Sequence, residues 1–130
     1  MMDYKNFFEK EGRIYMGSQN ELKNCSVGIF GVNYDGTTSF KPGTRFGPEA
    51  IRNTSQCLET YCPQLEKDLS SISYVDLGSL KIDLNSTEGV IEKVSLATKY
   101  LIENNLKPLV FGGEHSITTG IIETLVKKYP

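Results

Sequence analysis

The sequence predicts an α/β fold in which a parallel sheet carries helices on its faces. Short apolar runs recur at residues 27–32, 72–77 and 108–111, and such runs suit strands covered on both sides. Each run is followed by a stretch whose apolar residues repeat at helical spacing. The order is therefore strand then helix, three times over, and right-handed crossovers turn that order into a parallel sheet.

Taken in order, residues 1–23 are polar with interspersed aromatics and show no firm period. They predict an N-terminal arm that packs on something else, such as a neighbouring subunit. Val27-Gly28-Ile29-Phe30-Gly31-Val32 is the first strand, and the loop NYDGTTSFKPGTRF follows it. Gly47-Pro48-Glu49 then opens a helix over 48–61, with Pro at the first helical position and an acid in the first turn. Its expected inner face is Ala50, Ile51, Thr54, Cys57 and Leu58, and Pro63 closes it off. Ile72 to Leu77 is the second strand, ended by Gly78. Asn85 with Glu88 three residues on marks the start of a helix at about 87–104. Val90, Val94, Ala97 and Leu101 form its core stripe, widened by Ile91 and Ile102, and Asn104-Asn105 stops it. Leu109-Val110-Phe111 is a third, buried strand. Ile117, Ile121 and Leu125, with Ile122 and Val126, then mark a helix over 116–128, where Lys127 and Lys128 complement the dipole of the last turn.

A chain of 130 residues suits one domain, and 38% hydrophobic with 23% charged residues reads as globular. The formal charge of -2 comes without a basic cluster, which argues against a nucleic-acid or acidic-membrane partner. No apolar run approaches the ~18 residues that span a bilayer, and the N-terminus lacks the apolar core of a secretory signal. The three cysteines, Cys25, Cys57 and Cys62, are odd in number, and the C-x4-C pair would face apart on a helix. They read as buried thiols in a reducing compartment, with the cytoplasm as the expected location. The chain stops just after a helix, where another strand is expected. Residues 1–23 are therefore read as the arm, and 24–130 as the N-terminal part of a single, longer domain.

The residue that draws attention is His115, the single histidine, set in FGGEHSI behind Gly112 and Gly113. It falls at the carboxyl end of the third strand, where open α/β sheets bind ligands. The glycines permit a sharp turn and a close approach. Ser116 can cap the next helix, and Glu114 can orient a neighbour or neutralise a metal's charge. Two readings stay open on position alone. His115 either hydrogen-bonds a backbone carbonyl at a helix start or ligates a transition metal as a neutral imidazole. Asp35, Arg45 and Gly47, in the loop after the first strand, reach the same edge and serve the mouth of a site, loop packing or subunit contacts. Their glycine spacing matches neither a dinucleotide fingerprint nor a P-loop.

LVFGGEHSITTG resembles the Gly-Gly-acid-His-Ser motif of the ureohydrolases, the arginase and agmatinase family of binuclear manganese hydrolases. GVNYDGTTSFKPGTRFGPEAIR, residues 31–52, resembles the matching segment of the agmatinase branch, and the likeness extends over about residues 20–130. DLGSL, residues 76–80, echoes a family Asp-x-Gly-Asp pattern with Ser79 where an acid is usual, which puts a structural contact in question. The resemblance implies a three-layer α-β-α fold, here its first three βα units, and His115 as a ligand to one of two Mn²⁺ ions. It also implies a small guanidino substrate (agmatine, yielding putrescine and urea) and a trimeric or hexameric homo-oligomer. The family's two downstream aspartate-rich motifs are not in this sequence. The chain alone is thus expected to be inactive, with no catalytic residue of its own to name and its substrate-binding residues unassigned. An arginase or formiminoglutamase is the rival within the family, and a non-catalytic α/β binding or oligomerisation module is the rival outside it.

Overall fold

The computed structural model describes residues 4–130; the first three residues of the expected arm lie outside the described residues. Among the described residues there are six strands: β1 (Phe8–Glu9), β2 (Val27–Val32), β3 (Tyr61–Cys62), β4 (Lys67–Asp68), β5 (Tyr74–Leu80) and β6 (Lys107–Gly112). The main sheet runs β1-β5-β2-β6. β2 lies between β5 and β6, parallel to both, with Val27 in register with Tyr74 and with Lys107. Helices α1 (Gly47–Ser55), α2 (Thr87–Glu103) and α3 (Thr118–Lys128) follow the three parallel strands in turn.

Alternation along β2 divides its side chains between two cores. Phe30 and Val32 join Val75, Leu77 and the α2 stripe of Val90, Val94, Ala97 and Leu101. Ile29 points the other way, onto Tyr74 and Phe111, with Tyr15 of the arm and Leu69 packed against them. The apolar stripe read from the sequence of α2 is thus the stripe that is buried. The helix start differs by one residue from expectation. The Ser86 hydroxyl accepts from the Gly89 amide at 3.0 Å, while the Asn85 side chain turns back to Asp83.

The arm is not a detached segment. Its Phe8–Glu9 pairs antiparallel with Leu80 and Ser79, and Phe8 packs on Phe30 and Tyr100. Two residues are too few to show a period, so the sequence could not announce this strand. β5 begins later than expected and runs through Gly78. That residue takes φ +90° at an irregularity in the pairing with β2, and a side chain there would collide with the Glu9 carbonyl. The glycine read as a strand terminator is instead a bulge inside the strand.

The largest correction concerns α1. It ends at Ser55 and not at 61, and residues 61–68 form the small β3–β4 ladder. Its buried residues are Pro48, Arg52 and Ser55, whereas Ala50, Ile51, Thr54, Cys57 and Leu58, the expected inner face, are exposed. The cause is Arg52. Its Nε donates to Asp76 Oδ2 at 2.7 Å and Nη2 to Asp76 Oδ1 at 2.8 Å. Nη2 also donates to the Gly78 carbonyl at 2.9 Å, and Nη1 to the Ser79 hydroxyl at 3.0 Å. Ser79 therefore makes a structural contact at the position where the resemblance implies an acid.

The thiols also differ from expectation. Cys57 is exposed, and Cys25 and Cys62 are only half-buried; all three are free. Burial still pushes the Cys25 thiol up from its ordinary value. β6 is less covered than a buried run implies, with Leu109 46% exposed, because among the described residues it pairs only with β2. In α3, Ile117 just ahead of the helix is buried, but Ile122 and Val126 are exposed. No helix among the described residues is long and apolar enough to cross a membrane.

The Arg52 and Asp76 side chains are 5% and 0% exposed, so removing one partner strands the other's charge without water. Arg52→Met should lower stability by about 3–5 kcal/mol. The double variant Arg52→Met with Asp76→Leu should cost clearly less than the two single changes added together. Urea unfolding of the three variants checks this; additive losses would mean that the two groups act independently.

Candidate functional site

Val32 and Gly112 are register partners at the carboxyl ends of β2 and β6, so the loops that leave them start side by side. Gly113 takes φ +44°, and a Cβ there would lie 2.5 Å from the Tyr34 carbonyl oxygen and 2.6 Å from that of Val32. Only glycine fits this crossing. The Glu114 amide then donates to the Tyr34 carbonyl at 2.8 Å, which stitches the two loops together. Tyr34 is buried, and its hydroxyl shares a 2.6 Å hydrogen bond with Thr87 in the first turn of α2.

Two buried carboxylates hold the edge. Asp35 Oδ2 accepts from the Gly43 amide at 2.6 Å and the Arg45 amide at 3.2 Å, and Oδ1 meets Arg45 Nη2 at 2.6 Å. Donation from the Arg45 side chain outweighs burial and, with the two amides, holds the Asp35 carboxyl below the usual range. Glu114 accepts from the Thr37 amide at 2.7 Å and from the hydroxyls of Thr37 and Ser116. Burial works to raise its carboxyl, and the nearby Asp35 charge acts in the same direction, but donation from Ser116 and Thr37 prevails and lowers it. Ser116 is therefore not a helix cap: α3 begins without any side-chain cap, and the serine hydroxyl serves Glu114.

His115 opens a short 3₁₀ turn, His115–Ile117, and its side chain is exposed. It lies on a cleft of about 480 Å³ lined by Thr37–Lys41, Thr44 and Gly113–Ser116. The residues singled out in the sequence thus meet at one edge, in unequal positions. His115 faces the cleft. Asp35 points inward, Arg45 is tied to Asp35, and Gly47 begins α1. The contacts that sequence reading missed are Tyr34 and Thr37. The one visible signal for Thr37 was the run of hydroxyl residues after Asp35-Gly36, and none marked Tyr34.

Mn²⁺ favours several hard oxygen ligands. The oxygens of Asp35 and Glu114 are already engaged, and no group of three or more His, Cys, Asp or Glu side chains among the described residues is placed to hold an ion. His115 is one available donor, and these residues do not by themselves make a manganese site.

The model of the arginase family matches residues 25–130. The agmatinase of Bacillus subtilis (strain 168) is 30% identical over 119 residues, covering 92% of this chain and 41% of the relative. The chain thus spans about two fifths of the length of the curated relatives it matches. Among solved structures, the agmatine ureohydrolase of Thermoplasma volcanium superposes with a TM-score of 0.81 at 27% identity, over 88% of this chain and 39% of that one. The proclavaminate amidino hydrolase of Streptomyces clavuligerus gives 0.81 at 26% identity, over 91% of this chain and 40% of that one.

Asp35 yields a pH prediction. A folded-state pKa below the unfolded value means that the stabilisation is present above the ordinary carboxylate range, near pH ~4, and fades as pH falls through the lower folded value. The 43–45 turn should therefore stay closed from neutral pH to below ~4. Arg45→Gln should move the Asp35 titration upward. Carboxyl carbon NMR of Asp35 in both proteins checks this, and equal titration points would show that Arg45 does not hold the charge.

Proposed function

This chain belongs to the arginase family, and from that membership we propose that it is the N-terminal portion, residues 24–130, of an agmatinase-type ureohydrolase domain. The reaction assigned to the whole protein is manganese-dependent hydrolysis of agmatine to putrescine and urea, with two Mn²⁺ ions, in the cytoplasm, by a trimeric or hexameric homo-oligomer. The observation that carries the reading is His115: the single imidazole stands exposed on a cleft at a strand's carboxyl end, inside the segment that matches the family. Agmatinase relatives favour agmatine.

A guanidinium carbon is resonance-stabilised, and unactivated water attacks it very slowly. Bound metal would supply the missing activation of water. This chain's own part is narrower: His115 offers one nitrogen ligand, and the loop after β2 walls the cleft. Neither Asp35 nor Glu114 is free to take a proton from water, since both are held as acceptors by loop donors. The same fold also carries a proclavaminate amidino hydrolase at nearly the same identity, so the substrate's far end is to be decided by assay.

The 130-residue chain alone should release no urea from agmatine or arginine, with or without Mn²⁺. In a polypeptide of the relatives' full length that carries this chain, His115→Ala should empty one metal site. Urea release should fall by at least about a hundredfold, because loss of an outer-sphere partner of a metal ligand alone costs 10–100-fold. Thermal unfolding should change little. A histidine that merely bonds a carbonyl predicts the reverse, about 1 kcal/mol of lost stability with activity intact. Elemental analysis, urea assay on agmatine, arginine and formiminoglutamate, and unfolding of both proteins separate the two. Full metal content and normal turnover in His115→Ala would falsify the assignment.

A further inference from the structure

The sequence places an acid before the histidine, where it could serve as a ligand, a charge or a strut. Glu114 is buried, at 8% exposure, although it adjoins an exposed cleft residue. Its carboxylate does not face a void. Three donors converge on it: the Thr37 amide at 2.7 Å, the Thr37 hydroxyl and the Ser116 hydroxyl. Two of them belong to a loop 77 positions earlier in the sequence, and the third belongs to its own turn. Its amide meanwhile donates to Tyr34, at the root of the same loop. One residue therefore ties the outgoing limb of the 33–46 loop to the turn that carries His115. Asp35 separately fastens the returning limb at Gly43 and Arg45. Between the two fastenings lie Thr38, Ser39, Phe40 and Lys41, which form one wall of the cleft.

We propose that Glu114 is a positioning residue: it clamps the Thr37–Lys41 wall against the His115 turn and so sets the width of the cleft, and it is not a metal ligand. This rests on the reading of the cleft as a substrate site, but the clamp itself is testable without metal or substrate. A buried carboxylate must find donors, because a charge left unpaired there costs more than the bonds contribute, and the three donors meet that need. Bulk alone cannot replace it. An amide can replace it in part: its oxygen can take the Thr37 amide proton while its nitrogen donates to the two hydroxyls, which are free to rotate.

The test is amide hydrogen exchange on the 130-residue chain carrying Glu114→Leu, Glu114→Gln or Thr37→Val. In Glu114→Leu, exchange at the Thr37 amide should rise at least about tenfold, the scale that goes with losing a charge-assisted bond. Protection in β2 and α2 should hold. Glu114→Gln should stay within about threefold of wild type, as an acceptor role requires. Thr37→Val, which removes one donor and keeps the amide bond, should fall between them and decides the question if the leucine variant fails to fold. Wild-type exchange at Thr37 in Glu114→Leu, or a rise spread evenly through β2 and α2, overturns the clamp. A second arm uses the metal-loaded protein of the relatives' full length. Glu114→Leu should raise KM for agmatine about tenfold, with metal content unchanged and kcat less affected. Loss of metal with unchanged KM would mark Glu114 as a ligand and overturn the proposal. Absence of turnover in the wild type would count against the functional reading alone, and the exchange arm would still decide the clamp.

Discussion

The fold on the arm side of the sheet depends on the fork between Arg52 and Asp76. A buried ion pair of this kind gains little net free energy over an apolar pair, because two charges must leave water. What makes it tolerable here is complete satisfaction. The Asp76 carboxylate accepts from Arg52 Nε and Nη2, from the Tyr15 amide at 2.8 Å and from the Gly78 amide at 2.9 Å, which fills about four lone-pair sites. Each partner belongs to a different part of the chain: α1, the arm and the β5 bulge. One carboxylate therefore determines which face of α1 turns inward, where the arm crosses, and how β5 bends. Because α1 ends the loop that leaves β2, the same fork also anchors the far end of the cleft wall.

That dependence explains what could be read from the sequence and what could not. β2 and α2 were legible because their burial is apolar and periodic, and hydropathy sees both properties. α1 was misread for the opposite reason. A helix of nine residues offers only about two and a half turns of pattern, and its orientation was decided by a guanidinium whose partner lies 24 positions away. Counting apolar residues placed Ile51 and Leu58 inside; the ion pair placed them outside. The same failure moved Cys57 to the surface, since its burial had been inferred from a helix that ends before it. Helix α3 shows a milder form, with Ile122 and Val126 left uncovered by the elements described.

At the site, position was legible and connection was not. A glycine pair after an apolar run at a strand's carboxyl end is a local signal, and it located His115 correctly at the cleft. The partners of Glu114 and Asp35 are not local in the same sense. Thr37 reaches Glu114 only because β2 and β6 are neighbours, in register from Val27 against Lys107 to Val32 against Gly112. That register is a property of the sheet and is carried by no single segment. Ser116 is the local exception: its acceptor, the Glu114 carboxylate, lies two residues back in the same turn, and the hydroxyl serves that charge instead of capping α3.

The charge balance at the edge bears on what this segment contributes. Asp35 is neutralised by Arg45, and Glu114 is surrounded by dipoles, so neither presents a free negative charge to the cleft. The surface that remains is an imidazole among hydroxyls, backbone, the Phe40 ring and the Lys41 side chain. Such a surface orients a ligand but attracts a divalent cation weakly, since the affinity of hard cations comes from charged oxygens. Keeping the two carboxylates occupied has a structural benefit, because each fastens one limb of the loop that walls the cleft. These βα units therefore supply geometry, with His115 held at a defined point beside a braced wall.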